Sequence, residues 1–138
     1  MESVKHALIS TLFAPLFIYY LFPELTSISF SLLLIYAVAT GVLIDLDHFL
    51  ITLIRDKDLK ELKNALENPK LILTDNEAVF DQTIPEKARW TSHTIVLILV
   101  PLLIFTQSPK LGVLTFLVLD LHIAADAYQF LREHDFHI

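Results

Sequence analysis

Four long apolar stretches dominate the chain, and short polar segments separate the first from the second and the third from the fourth. Each stretch can cross roughly 30 Å of hydrocarbon as an α-helix. They run from Ala7 to Phe22, from Leu25 to Ile44, from Thr91 to Pro109 and from Leu111 to Leu131. The pattern therefore predicts four membrane-spanning helices.

Closed β-barrels are the alternative way to cross a bilayer, but these stretches lack alternating polarity and are too long for tilted strands. We expect an all-α integral membrane four-helix bundle that forms a single domain over residues 1–138. Pro23 with Glu24 predicts one tight turn, and Gln107 to Pro109 predicts another. The predicted spans are about 4–22, 26–54, 91–108 and 110–131.

The segment 55–90 between the second and third spans is polar. Within it Leu59, Leu62 and Leu66 recur at helical spacing before Asn68-Pro69 ends the pattern. This spacing predicts an amphipathic helix that lies on the membrane surface. The rest of the segment has no clear period and is expected to form a cap or lid.

Composition agrees with a membrane protein, because 54% of the residues are hydrophobic and only 19% are charged. The net charge of -6 does not indicate a basic partner, since several acids lie inside the apolar stretches, and no nucleic-acid partner is expected. Cysteine is absent, so a metal site must use His, Asp or Glu. The first span has no cleavage site before polar sequence and is expected to be retained.

Orientation follows from the basic residues, which collect on cytoplasmic loops. Four spans place both termini and the 55–90 segment on one side. That side holds nine of the ten Lys and Arg residues, and only Lys110 lies on the other. We expect a multi-pass protein of the cell (inner) membrane with cytoplasmic N- and C-termini.

Four histidines and three aspartates inside the four spans fall at one depth near the cytoplasmic side. At about 1.5 Å of rise per helical residue, each lies within about 15 Å of a flanking basic residue. Asp45 and His48, and likewise His122 and Asp126, are spaced to share a helix face. The candidate metal ligands are His6, Asp45, Asp47, His48, His93, His122 and Asp126.

Buried carboxylates at one depth repel one another and cost several kcal/mol each unless they are neutralised. A divalent metal supplies that charge, and one or two ions suit the ligand pool, with two preferred. Oxygen and imidazole ligands fit zinc best here, with manganese or iron as alternatives. Asp47 either binds an ion or lines the cavity. Three roles remain open for Asp120: it contacts a metal ligand without binding the metal itself, it binds metal at the edge of the cavity, or it faces another subunit.

Simpler interpretations exist for some of these residues. His6 is also compatible with an interfacial position at a helix start. The Asp45 to His48 cluster can end the second span with its charges reaching water. His122 and Asp126 lie deeper, so this explanation suits them less well.

The same residues resemble the membrane-bound, predicted metal-dependent hydrolase family whose bacterial members are described as LexA-regulated inner-membrane proteins. The resemblance consists of four motifs in order, one per span, although Ile44 and Trp90 stand where members often have Pro and Gly. The motifs are His6, the D-x-D-H of Asp45, Asp47 and His48, the R-x-x-[ST]-H of Arg89, Ser92 and His93, and the H-x-x-x-D of His122 and Asp126. The resemblance implies metal binding and hydrolysis.

We therefore predict a membrane-embedded hydrolase in which metal-activated water attacks a phospholipid or another phosphoester. Arg89 is the candidate for binding a phosphate, and Asp47 or Asp120 is the candidate general base. Two alternatives remain: a metal-ion or proton transporter, and a non-catalytic structural membrane protein. Partners are the lipid bilayer and, if Asp120 faces a subunit, an oligomer.

Overall fold

The structure is a computed structural model that describes residues 3–57, 63, 66–68 and 85–135. The regular secondary structure of these residues is entirely helical. The helices are α1 (Ser3–Leu21), α2 (Ser27–Leu43), α3 (Asp47–Asp56), α4 (Glu86–Phe105) and α5 (Pro109–Asp135), and a 3-10 turn (Ile44–Leu46) joins α2 to α3.

Four segments of the described chain are long and apolar enough to cross a membrane, which confirms the all-α prediction at this level. They are Val4–Leu21, Ser27–Ile54, Lys87–Phe105 and Pro109–Arg132. The second combines α2, the 3-10 turn and α3. The predicted amphipathic helix lies almost wholly outside the described residues. Within that segment the structure describes Lys63, Leu66 and Glu67 as helical. The predicted cap or lid also lies outside them.

Helix α4 begins at Glu86, inside the segment that the sequence assigned to a loop ending at Trp90. Pro85 explains this start, because its ring fixes φ and it has no N–H to bond within a preceding turn. Its carbonyl accepts hydrogen bonds from the amides of Ala88 at 2.8 Å and Arg89 at 3.2 Å. The extra turn carries Arg89 on the same helix as His93.

Helix α5 is the centre of the bundle and packs against α1, α2 and α4, while α3 packs against α4. Gly112 lets α5 approach the end of α4, since a Cβ there would lie 2.6 Å from the Phe105 Cα. The buried apolar core lies toward the end of the bundle that holds the two short connections. Its members are Ala14, Ile18, Ala37, Leu114 and Val118.

Ionisable side chains are buried at the opposite end. They sit near the beginnings of α1 and α4, the end of α5 and the junction of α2 with α3. The bundle therefore has an apolar half and a half that encloses ionisable groups.

Candidate metal centre

All seven residues that the sequence nominated as metal ligands are buried. His6 and His93 are each 1% exposed and His122 is 2% exposed, which are values usual for core hydrophobic residues. The others are Asp45, Asp47, His48 and Asp126. Every membrane-length segment contributes at least one of them.

The junction between α2 and α3 explains how Asp45 and His48 reach the same cavity. In an α-helix, residues three apart diverge by about 60°, whereas in a 3-10 helix they eclipse. The 3-10 turn covers Ile44–Leu46 and leads directly into α3. It therefore aligns the two side chains more closely than the α-helix that their spacing predicted.

Four ligand atoms from three segments lie close together. Asp45 Oδ1 lies 3.3 Å from His122 Nε2 and 3.8 Å from His93 Nε2. Asp126 Oδ2 lies 3.6 Å from His122 Nε2 and 3.7 Å from His93 Nε2. Ligand atoms around a tetrahedral zinc with bonds of about 2.0–2.1 Å are roughly 3.3–3.4 Å apart. The separations fit a metal site after a small contraction.

His6 extends the cluster on the side of α1. Its Nε2 lies 3.1 Å from Asp126 Oδ1, and its ring stacks on that of His122 with centroids 3.5 Å apart. His48 extends the cluster on the other side and stacks on His93 at 5.1 Å. Ligand atoms of Asp45, His48 and His93 lie within 4.8 Å of one another, as do those of His6, Asp45 and His122.

Two hydrogen bonds fix which ring nitrogen faces the cluster. His93 Nδ1 lies 2.7 Å from Asp47 Oδ2, and His122 Nδ1 lies 2.7 Å from the Gly41 carbonyl oxygen. The Asp47 carboxylate and the Gly41 carbonyl accept these bonds, so each Nδ1–H donates and the Nε2 of each ring is directed at the cluster, where it offers a lone pair when the ring is neutral. Metal-binding histidines are commonly held in this way.

The Nε2 atoms of His6, His93 and His122 are buried and have no hydrogen-bond partner among the residues that the structure describes. A buried polar atom left in this state costs about 1–3 kcal/mol. Three such ring nitrogens beside two carboxylates make a donor set for a divalent cation when the rings are neutral. The residues present therefore fit a metal.

Asp47 and Asp120 occupy different positions from the central ligands. Asp47 is buried and bonded to His93, while its Oδ1 lies 3.7 Å from His48 Nε2. The Asp120 side chain is on the exposed side of α5, and the structure does not bring it into the cluster. Arg89 is half-buried one turn before His93, with its Cζ 6.0 Å from the Trp90 ring centroid.

Gly41 is a contributor that the sequence analysis missed, because it acts through its backbone. The chain contains only two glycines, and this one lies one turn before Asp45. A Cβ there would collide with Ser10 Oγ and lie 3.3 Å from Val118 Cγ1. A glycine inside an apolar span beside the ligand motif was the available signal of close helix approach.

Comparison of the chain with family models, with curated proteins and with solved structures gives no match.

Proposed function

We propose that the protein is a membrane-embedded, metal-dependent hydrolase that acts on a phospholipid or another phosphoester near the cytoplasmic face. One observation carries the proposal: buried histidine and aspartate side chains from every membrane-length segment converge in overlapping groups of three whose candidate ligand atoms lie within 4.8 Å of one another. Such groups are costly in a membrane and typically mark a functional site.

The residues that would hold the metal are His6, Asp45, His48, His93, His122 and Asp126. Imidazole and carboxylate ligands suit zinc, with manganese or iron as alternatives. When bound, such an ion supplies Lewis-acid chemistry for hydrolysis and lowers the pKa of water toward neutrality. Asp47 and the Gly41 carbonyl orient His93 and His122.

The position of the cluster supports a lipid substrate. It lies toward the bundle end where nine of the ten basic residues are placed by the four-span topology, which is the cytoplasmic end under the positive-inside rule. A site at that depth would meet the ester and phosphodiester bonds of lipid headgroups. Arg89 on α4 is placed to bind a phosphate oxygen and to stabilise its charge.

The other half of the bundle argues against a transport path. There the described helices bury Ala14, Ile18, Ala37, Leu114 and Val118 against one another. A conduction path requires polar groups or water that continue to the far face. The polar contact between Tyr36 and Thr115 is instead a single hydrogen bond of 2.6 Å between α2 and α5.

Reconstitution into vesicles of phosphatidylethanolamine and phosphatidylglycerol tests the proposal. The wild type, stripped by a chelator and reloaded with Zn²⁺ or Mn²⁺, is expected to release water-soluble headgroup or fatty acid. Asp126→Asn should lose both metal and activity. Arg89→Ala should keep its metal but hydrolyse at a lower rate.

Asp120→Asn serves as the matched control, because it removes a carboxylate from the exposed side of the helix that carries His122. It should retain metal, and loss of activity alone would identify Asp120 as the general base that the sequence allowed. Metal-loaded wild type that releases no product from lipids or from a soluble phosphodiester would overturn the hydrolase assignment.

A further inference from the structure

Four of the six candidate ligands are histidines, and they form two stacked pairs. His6 and His122 stack with ring planes 15° apart, and His48 and His93 stack with planes 12° apart. The planes of His93 and His122, one from each pair, are 76° apart. An imidazole nitrogen has one lone pair and binds one ion, so four histidines offer more nitrogen ligands than one tetrahedral ion with two carboxylates can use.

Two carboxylates lie between the histidine pairs. Asp45 belongs with His6 and His122 in one group of three ligands and with His48 and His93 in another, each group lying within 4.8 Å. Asp126 Oδ1 is 3.1 Å from His6 Nε2, and its Oδ2 lies between the two pairs, 3.6 Å from His122 Nε2 and 3.7 Å from His93 Nε2. A carboxylate with this placement can bridge two metal ions.

The geometry points to a two-ion metal centre in which His6 with His122 binds one ion, His48 with His93 binds the second, and Asp45 and Asp126 bridge them. The two-ion arrangement is inferred from the positions of the ligands, and its catalytic role rests on the proposed function. It assigns all six ligands and gives each ion two nitrogens and an oxygen from each bridge.

A single ion bound by the four-ligand cage of Asp45, His93, His122 and Asp126 leaves one observation on His6 unexplained. It leaves both ring nitrogens of His6 buried without a hydrogen bond among the described residues. The second ion gives His6 Nε2 a partner.

Charge favours the same conclusion. With neutral histidines, one divalent ion leaves a negative charge among Asp45, Asp47 and Asp126, and two ions leave a positive charge. Two metals in hydrolytic centres lie about 3.5–4 Å apart and together clamp an anionic phosphoester. A two-ion centre therefore matches an anionic phosphoester better than one ion does.

Metal stoichiometry tests the inference without an activity assay. Detergent-purified wild type is stripped with a chelator and titrated with Mn²⁺, and bound metal per chain is measured by elemental analysis. We expect two ions per wild-type chain. In an electron paramagnetic resonance spectrum, bridged Mn²⁺ ions should be magnetically coupled and should not show the spectrum of an isolated ion.

His6→Ala and His48→Ala form a matched pair, since each removes one histidine from a different stacked pair. Each variant is expected to bind one ion and to show the isolated Mn²⁺ spectrum. Asp120→Ala removes an exposed carboxylate and should still bind two coupled ions. If either histidine variant fails to fold, the titration and spectrum of the wild type decide the question alone.

One ion per wild-type chain, kept by both histidine variants, would overturn the two-ion centre and indicate the four-ligand cage. Failure of this inference differs from failure of the proposed function. One ion with lipid hydrolysis overturns only the second ion, whereas two coupled ions without hydrolysis support the centre and contradict the enzyme.

Discussion

Asp47 holds His93 in place: its Oδ2 accepts a hydrogen bond from His93 Nδ1 across 2.7 Å while both side chains are buried. The two residues are 46 positions apart and come from α3 and α4. Their contact fixes the tautomer in which His93 Nε2 faces Asp45 and Asp126. Asp47 thus acts on the site through another residue.

Asp47→Asn should weaken metal binding by about 10–100-fold while leaving the number of ions at saturation unchanged, the usual effect of losing an outer partner of a ligand histidine. The asparagine amide can still accept from Nδ1, but it lacks the charge that strengthens the bond. Competition with a chromogenic chelator measures the affinity. His93→Ala provides the contrast, because it should remove an ion from the saturated protein.

A reduced number of ions in Asp47→Asn at saturating metal would make Asp47 a direct ligand, as the sequence analysis allowed. Unchanged affinity would mean that the hydrogen bond contributes nothing to the tautomer of His93.

The fold was largely predictable because lipid imposes a simple rule: a chain that crosses it must satisfy its own backbone. Uncharged stretches such as Ala7 to Phe22 therefore predicted helices directly. The early start of α4 was not predicted, because Glu86, Lys87 and Arg89 are charged and only the Pro85 carbonyl, seen in the structure, shows that the helix begins there.

The candidate site was predicted for a related reason. Histidines and aspartates in apolar spans stand out by their cost, so His122 and Asp126 could be nominated from sequence. Roles that depend on backbone geometry could not be predicted from the sequence. Neither the 3-10 turn at Asp45 nor the Gly41 carbonyl has a side-chain signature, and the sequence left three roles open for Asp120, whose exposed position on α5 only the structure shows.

Gly41→Ala should destabilise the protein by about 1–3 kcal/mol, the usual cost of forcing extra atoms into a packed interior. The added methyl collides with Ser10 Oγ and presses on Val118. It should also lower metal affinity, because the Gly41 carbonyl that orients His122 must move. Chemical unfolding in detergent and metal titration measure the two effects.

The collision can be tested by a double-mutant cycle. Ser10→Ala removes the clashing oxygen, so it should recover part of the stability that Gly41→Ala loses. Purely additive losses would show that the contact between α1 and α2 is not the cause.

Tyr36→Phe should cost about 0.6–2 kcal/mol, the range for hydrogen bonds between helices in membranes. Thr115 Oγ1 donates to the Leu111 carbonyl at 2.7 Å, so the Tyr36 hydroxyl is the donor in its 2.6 Å contact with Thr115. Metal content should stay unchanged, since this pair lies in the apolar half of the bundle. Tyr128→Phe, which removes a hydroxyl from the exposed side of α5, should alter neither quantity.

Acidification should release the metal and remove the stability that the metal provides. Histidine and aspartate bind metal only when deprotonated, so protons compete for His122 and Asp126 as the pH falls. The stability that bound metal adds is therefore fully present at neutral pH and is lost as the solution becomes acidic. A ligand at 100 times its Kd adds about 2.7 kcal/mol to the free energy of unfolding. The melting temperature of the metal-loaded protein should therefore exceed that of the chelated protein at neutral pH. In acid the two melting temperatures should converge. Asp126→Asn should behave like the chelated protein throughout. A difference that persists in acid would show that the stabilising ion is held by groups other than this cluster.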